Sequence, residues 1–74
     1  MWESKNIELT EVSQIISKLE VMAKLKTFPT DTRYVFTIKD INIIYMLPPL
    51  ELLALIQQIP DIEFTSFSVC QMIK

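Results

Sequence analysis

Arg33-Tyr34-Val35-Phe36-Thr37-Ile38-Lys39-Asp40-Ile41-Asn42-Ile43-Ile44-Tyr45-Met46-Leu47-Pro48-Pro49 is the stretch on which the fold turns. From Arg33 to Lys39 it is rich in aromatic and β-branched residues, and Tyr34, Phe36 and Ile38 share one face at the period of two that a half-buried strand requires. A second strand is expected from Asn42 to Leu47, ended by Pro48-Pro49. Between the two, Lys39-Asp40-Ile41 makes the hairpin turn without the Asn-Gly or Asp-Gly pair that usually secures a tight one. A single long, bulged strand over 33–47 is therefore the alternative.

Downstream, Pro49 suits the first position of a helix, where its missing N–H costs nothing. From Pro49 to Gln58 the apolar side carries Leu52, Leu53, Leu55, Ile56 and Ile59, with Glu51, Gln57 and Gln58 on a narrow wet face. Pro60-Asp61 closes this helix. Ile62 to Ile73 then alternates as a final strand, with Phe64, Cys70 and Met72 on one side and Phe67, Val69 and Ile73 on the other. Apolar residues on both faces predict an interior or interface strand.

Upstream, Glu11 to Lys26 reads as an amphipathic helix whose apolar side holds Val12, Ile15, Ile16, Leu19, Met22 and Ala23. Thr10 is the expected N-cap, with Glu11 well placed for the helix dipole. Val21 and Leu25 fall on the polar side, one turn apart. Either the segment Thr27-Phe28-Pro29 folds back over them, or they form a second contact surface flanked by Gln14 and Lys18. Thr30-Asp31-Thr32 marks a turn. In the N-terminal segment Ile7 and Leu9 share strand parity. If Trp2 to Leu9 pairs, the order is β-α-β-β-α-β, the split βαβ or ferredoxin-like arrangement; if not, it is αββαβ. A helical assembly without the last strand is a third possibility. The expectation is one α+β domain spanning 1–74, a small two-layer sandwich with two helices on one face of an antiparallel sheet.

Composition narrows the chemistry. Half of the 74 residues are apolar, with neither glycine nor histidine among them. Gly-rich phosphate loops and nucleophile elbows need a residue without Cβ, so none can be built here. Without histidine there is no imidazole base and no imidazole metal ligand. The net charge is −2, and the basic residues Lys5, Lys18, Lys24, Lys26, Arg33, Lys39 and Lys74 are scattered, which argues against duplex nucleic acid. Cys70 is the single cysteine, so it can form neither an internal disulfide nor a Cys-rich metal site, and it reads as a small buried hydrophobe in a reducing compartment. Met1-Trp2-Glu3-Ser4-Lys5 has neither the basic nor the apolar part of a secretory signal. The apolar run from Ile41 to Ile59 is broken by Pro48-Pro49, Glu51 and Gln57-Gln58, and reads as core elements rather than a membrane span.

Asp31, Asp40, Asp61 and Glu63 have turn or solvation roles before catalytic ones. Ser66 and Ser68 bracket Phe67 but have no base to activate them. The signatures of ferredoxin-like modules are missing too: there is no Cys-x-x-Cys metal loop, no Gly- and Lys/Arg-rich aromatic strand for RNA, and no glycine turn near Leu9-Thr10-Glu11 for a small ligand.

The expected function is therefore non-enzymatic: a cytoplasmic inhibitor or adaptor that binds another protein or itself as a homodimer. Trp2, Val21, Leu25 and Phe67 are the partner-binding candidates, with no cofactor, metal, nucleic acid or membrane. The Lys-over-Arg and Ile bias, typical of AT-rich coding, favours a low-GC bacterium, its phage or another AT-rich virus, and with it a phage- or mobile-element-encoded protein. The alternative is a regulatory domain for a small molecule, with Arg33, Asn42 and Gln57 as its polar groups. Nucleic-acid binding ranks third.

Overall fold

In the computed structural model, which describes residues 1–73, the chain runs β1 (Trp2–Asn6), a 3-10 turn (Leu9–Glu11), α1 (Val12–Leu25), β2 (Thr32–Ile38), β3 (Ile41–Leu47), α2 (Pro49–Gln58) and β4 (Phe64–Met72). The N-terminal segment does pair, and 33–47 is a hairpin. The sheet order is β1-β4-β2-β3, with every neighbouring pair antiparallel. Because β1 and β2 are both antiparallel to β4, they run parallel to each other with β4 between them. In the same way β3 and β4 run parallel astride β2. Each helix thus links two parallel strands that have a third between them, with β4 and β2 central and β1 and β3 at the edges. The α+β two-layer expectation holds, whereas the ferredoxin-like strand order is not confirmed; the interior position of the last strand explains its apolar residues on both faces.

Alternation along β2 sets the layers. Thr32, Tyr34, Phe36 and Ile38 are buried while the residues between them are half-exposed. Tyr34, Phe36 and Ile38 pack with Phe67 of β4 and with Val12, Leu19, Leu52 and Leu53 of the two helices, so both helices lie on that face. Burying such side chains stabilises a domain by about 1.5–3 kcal/mol each, against the entropy of ordering the chain. The other sheet face carries Arg33, Val35 and Thr37 from β2, and no helix of the described residues covers it.

Strict alternation in β4 put Phe64 with Cys70, away from Phe67. The register corrects this. Between Thr37 and Ile38 the pairing shifts: Thr37 faces Ser66 but Ile38 faces Phe64, leaving Thr65 as an extra residue. Such a bulge reverses the side-chain parity beyond it. Phe64 therefore turns to the helix side and packs edge-on against Phe36 and Phe67, ring centroids 5.2 and 5.3 Å away. On the β3 side the pairing shifts at the same place but by two residues: Thr37 faces Ile44 and Ile38 faces Ile41, leaving Asn42 and Ile43 extra, so side-chain parity is kept there.

The chain also meets its left-handed positions without glycine. Lys26 ends α1 at φ 54°, its N–H donating to the Ala23 carbonyl while Thr27 N–H donates to Met22 O at 3.0 Å. This is the paired hydrogen-bond pattern of a Schellman motif, made with a lysine where glycine is usual. Asp40 turns the hairpin at φ 66°, and it and Lys26 are the two positive-φ residues among those described. Since φ is not positive at Lys39, the turn is neither of the primed types whose twist suits a hairpin, and the register shift lies directly beside it. At the other end of α1, Thr10 is not the cap. It sits inside the 3-10 turn that leads into the helix, and Glu11 occupies the N-cap position with no side-chain hydrogen bond to the backbone. Pro49 opens α2 as expected, with Leu52 N–H donating to Pro48 O at 3.0 Å.

Candidate protein-binding surface

The register places every side chain of the uncovered sheet face. β1 contributes Trp2, Ser4 and Asn6, β4 contributes Ser66, Ser68, Cys70 and Met72, β2 contributes Arg33, Val35 and Thr37, and β3 contributes Ile44 and Met46. Its middle is polar and internally satisfied. Thr37 Oγ1 lies 2.6 Å from Thr65 Oγ1 and 2.7 Å from Ser66 Oγ, and the Ser68 hydroxyl donates to Asn6 Oδ1 at 2.9 Å. Ser66 and Ser68 thus serve the strand. Two apolar corners flank this band.

At the β1 corner, the Arg33 guanidinium sits over the Trp2 ring, 5.6 Å from its centroid. The same guanidinium donates to the carbonyls of Thr32, at 2.9 Å, and Thr30, at 3.3 Å. Trp2 is half-exposed, and its ring quadrupole adds a further contact to a cation already held by the two carbonyls. Cys70, between Ser4 and Arg33 in the register, is only 6% exposed and is a free thiol. It packs as the small hydrophobe expected.

At the opposite corner stands β3. Ile41, Ile43, Ile44 and Met46 are all exposed, Ile44 most of all at 74%, while Tyr45 and Leu47 pack toward the core. Tyr45 stacks on Phe36 with centroids 5.3 Å apart. Sequence reasoning missed this surface, because an apolar run bounded by prolines reads as a covered strand. The lack of any charge from Ile41 to Leu47 was the available signal.

Val21 and Leu25 lie in the other layer, on the outer side of α1, 55% and 67% exposed. The Thr27-Phe28-Pro29 segment does not cover them: Phe28 packs against the core. Val21 borders a shallow depression with Ser17, Lys18 and Met22. Phe67 requires a correction. Expected on a partner-binding face, it is 2% exposed, 6.0 Å from Phe36 and 5.7 Å from Tyr34 between ring centroids. Its central strand and its parity point it into the aromatic core. Trp2, Val21 and Leu25 remain accessible but occupy opposite layers, so they form two surfaces and not one.

No family model, curated protein or solved structure matches this chain.

The groups tested for chemistry stay apart. Asp40 turns the hairpin, Asp31 O accepts the Met72 N–H at 2.9 Å, and the Glu63 carboxylate lies 3.6 Å from Lys39 Nζ, both side chains exposed, where an ion pair adds little stability. Among the described residues no three His, Cys, Asp or Glu side chains cluster at metal-binding distance. No described helix is long and apolar enough to cross a membrane. Burial raises the Tyr34 phenol above its usual pKa of 10.0, which keeps it neutral well into the alkaline range. Arg33, Asn42 and Gln57, the polar trio considered for a small ligand, lie on the open sheet face, the β3 edge and α2, and do not converge.

Proposed function

We propose that this chain is a non-enzymatic protein-binding module, an inhibitor or adaptor that acts on another protein in the cytoplasm. A single observation supports it: the exposed large apolar side chains, including Trp2, Leu9, Val21, Leu25, Ile43, Ile44, Met46, Leu50 and Ile59, outnumber the buried core residues of the same small domain. Scattered exposed apolar residues are ordinary, but concentrations on one strand edge and one helix face mark surfaces that another chain covers. A phage or mobile-element origin is carried by composition alone.

The test uses the tagged chain and a Val21→Glu/Leu25→Glu variant in affinity capture, with melting followed in parallel. The proposal expects one protein retained at stoichiometric amount by the wild type and lost from the variant, with the melt unchanged. Stoichiometric capture that survives the variant would remove the α1 surface from the reading, and no stoichiometric partner for either form would remove the adaptor role.

One feature favours the small-molecule alternative. A groove of about 590 Å³ runs between β1 and α1, walled by Glu3, Lys5, Ile7, Ile15, Val69 and Gln71. It combines an apolar floor with a few charged groups at its rim, as ligand pockets do. A metabolite panel read by thermal shift separates the two: a ligand that raises the melting temperature, and loses that effect in Ile15→Trp, supports the regulatory reading. For nucleic acid the support is weakest, since Lys39 is paired with Glu63 and Arg33 is engaged by two carbonyls and Trp2.

A further inference from the structure

The β3 edge has a backbone direction that identifies what fits it. Met72 N–H donates to Asp31 O, and Lys39 N–H to Glu63 O, so the odd-numbered residues of β2 bond toward β4. In an antiparallel strand the N–H and C=O of one residue point to the same side, and successive residues alternate. The even residues Tyr34 and Phe36 therefore bond toward β3, to Leu47 and Tyr45. The remaining groups, the N–H and C=O of Ile44 and Met46, face outward from the free edge. Such groups are completed by a further strand.

The geometry points to a second copy of this chain as that strand, with the two β3 segments paired antiparallel about a two-fold axis at Tyr45. In this register Ile44 of each copy exchanges both backbone bonds with Met46 of the other, and Ile43 faces Leu47. Tyr45 faces Tyr45. Four arguments select a second copy. An antiparallel strand paired with itself juxtaposes like with like, and from Ile41 to Leu47 there is no charge to repel its twin. The side chains brought together on the open face, Ile44 and Met46, are exposed and apolar in both copies, so each supplies what the other needs to cover. The register shift that bends the strand lies between Ile41 and Ile44, which leaves Ile44 to Leu47 regular. Finally, the other edge cannot substitute: β1 carries Glu3 and Lys5, which a β3 strand would meet with apolar residues. Pairing is therefore isologous and closes at two rather than growing into a filament.

The result is one continuous eight-stranded sheet with four helices on it. Four partly exposed side chains per copy amount to less than the ~800 Å² per partner of a standard interface, so the association is a small-interface one that depends on concentration. This proposal is a specific form of the protein-binding reading and rests on it; the test separates the two.

Sedimentation equilibrium of the wild type, Ile44→Lys/Met46→Lys and Val21→Glu/Leu25→Glu, each over micromolar to submillimolar concentration, decides it. The wild type and the α1 variant should pass from 8.7 kDa to twice that mass. In the β3 variant each new lysine faces its twin's, and the dissociation constant should rise at least about a hundredfold. Because both substituted side chains point to solvent, folding is not at stake, and the far-UV spectrum checks it. A wild type that stays monomeric throughout overturns the proposal, even if the chain still captures another protein, which would leave the broader reading standing. A dimer that survives the β3 substitutions, or that is lost instead through Val21 and Leu25, overturns it as well.

Discussion

β1 and β3 close the same sheet at its two sides with opposite materials. β1 is five residues long and all of them are exposed; it presents Glu3 and Lys5 along the edge and is tied to the domain through β4. β3 is seven residues long, uncharged, and anchored from within by Tyr45 on Phe36. Short charged edge strands are a common defence against unwanted pairing, and long apolar ones invite it. The chain guards one edge and leaves the other open, and that asymmetry, more than the count of apolar residues, marks where a partner strand can add.

Both edges depend on the aromatic centre. Phe36→Ala removes the ring that Tyr45, Phe64 and Phe67 share, and should cost about 3–5 kcal/mol in chemical denaturation. A loss below 1 kcal/mol would mean that the edges hold themselves. Erasing the guard tests the contrast directly: Glu3→Val with Lys5→Val should convert a dimer that closes into one that grows, seen as rising light scattering at concentrations where the wild type is clear. Unchanged scattering would show that the charges on β1 are not what protects it.

Smaller effects follow from the glycine-free backbone. A left-handed residue other than glycine costs roughly 1–2 kcal/mol, partly offset because glycine is more flexible when unfolded. Lys26→Gly should therefore stabilise the domain by about 0.5–1 kcal/mol, and Asp40→Gly by less, since aspartate tolerates that region better. If Asp40→Gly also weakens dimerisation while Lys26→Gly does not, the hairpin turn is what presents β3 at its present angle.

The smallest effect is one of pH. Tyr34 releases its proton at higher pH when folded than when unfolded. Above pH 10 the unfolded chain loses that proton first, so stability falls as pH rises toward the folded value. Tyr34→Phe should make the decline of the denaturation midpoint between pH 9 and pH 11 shallower. An identical decline would mean that the phenol contributes nothing to it.

Much of the fold was legible because local periodicity carried it. Tyr34, Phe36 and Ile38 on β2, the stripe from Val12 to Met22 on α1, and Pro49 at the start of α2 are each decided by their own neighbours. What was not legible depends on pairing. The extra Thr65 that turns Phe64 into the core is fixed by its position opposite β2, which no single-strand pattern contains. Phe67 was assigned to a surface for the same reason, because a strand with two apolar faces does not say which one the helices take. The candidate surface was half visible: Val21 and Leu25 stood out by breaking a period, whereas β3 kept its period and concealed that one flank has no strand neighbour among the described residues.

Amide hydrogen exchange resolved by residue, at two protein concentrations on either side of the dimer midpoint, tests the central claim most directly. Tyr45 and Leu47 bond inward to β2 and should be protected at both concentrations. Ile44 and Met46 face outward and should exchange rapidly when dilute and slowly when concentrated, with no such change at Ser4 or Asn6, whose amides face outward from β1 because Ile7 N–H and Met1 O bond inward to β4. If Ile44 and Met46 exchange rapidly at every concentration, or if the concentration dependence appears on β1 instead, the open edge is not where this chain meets its partner.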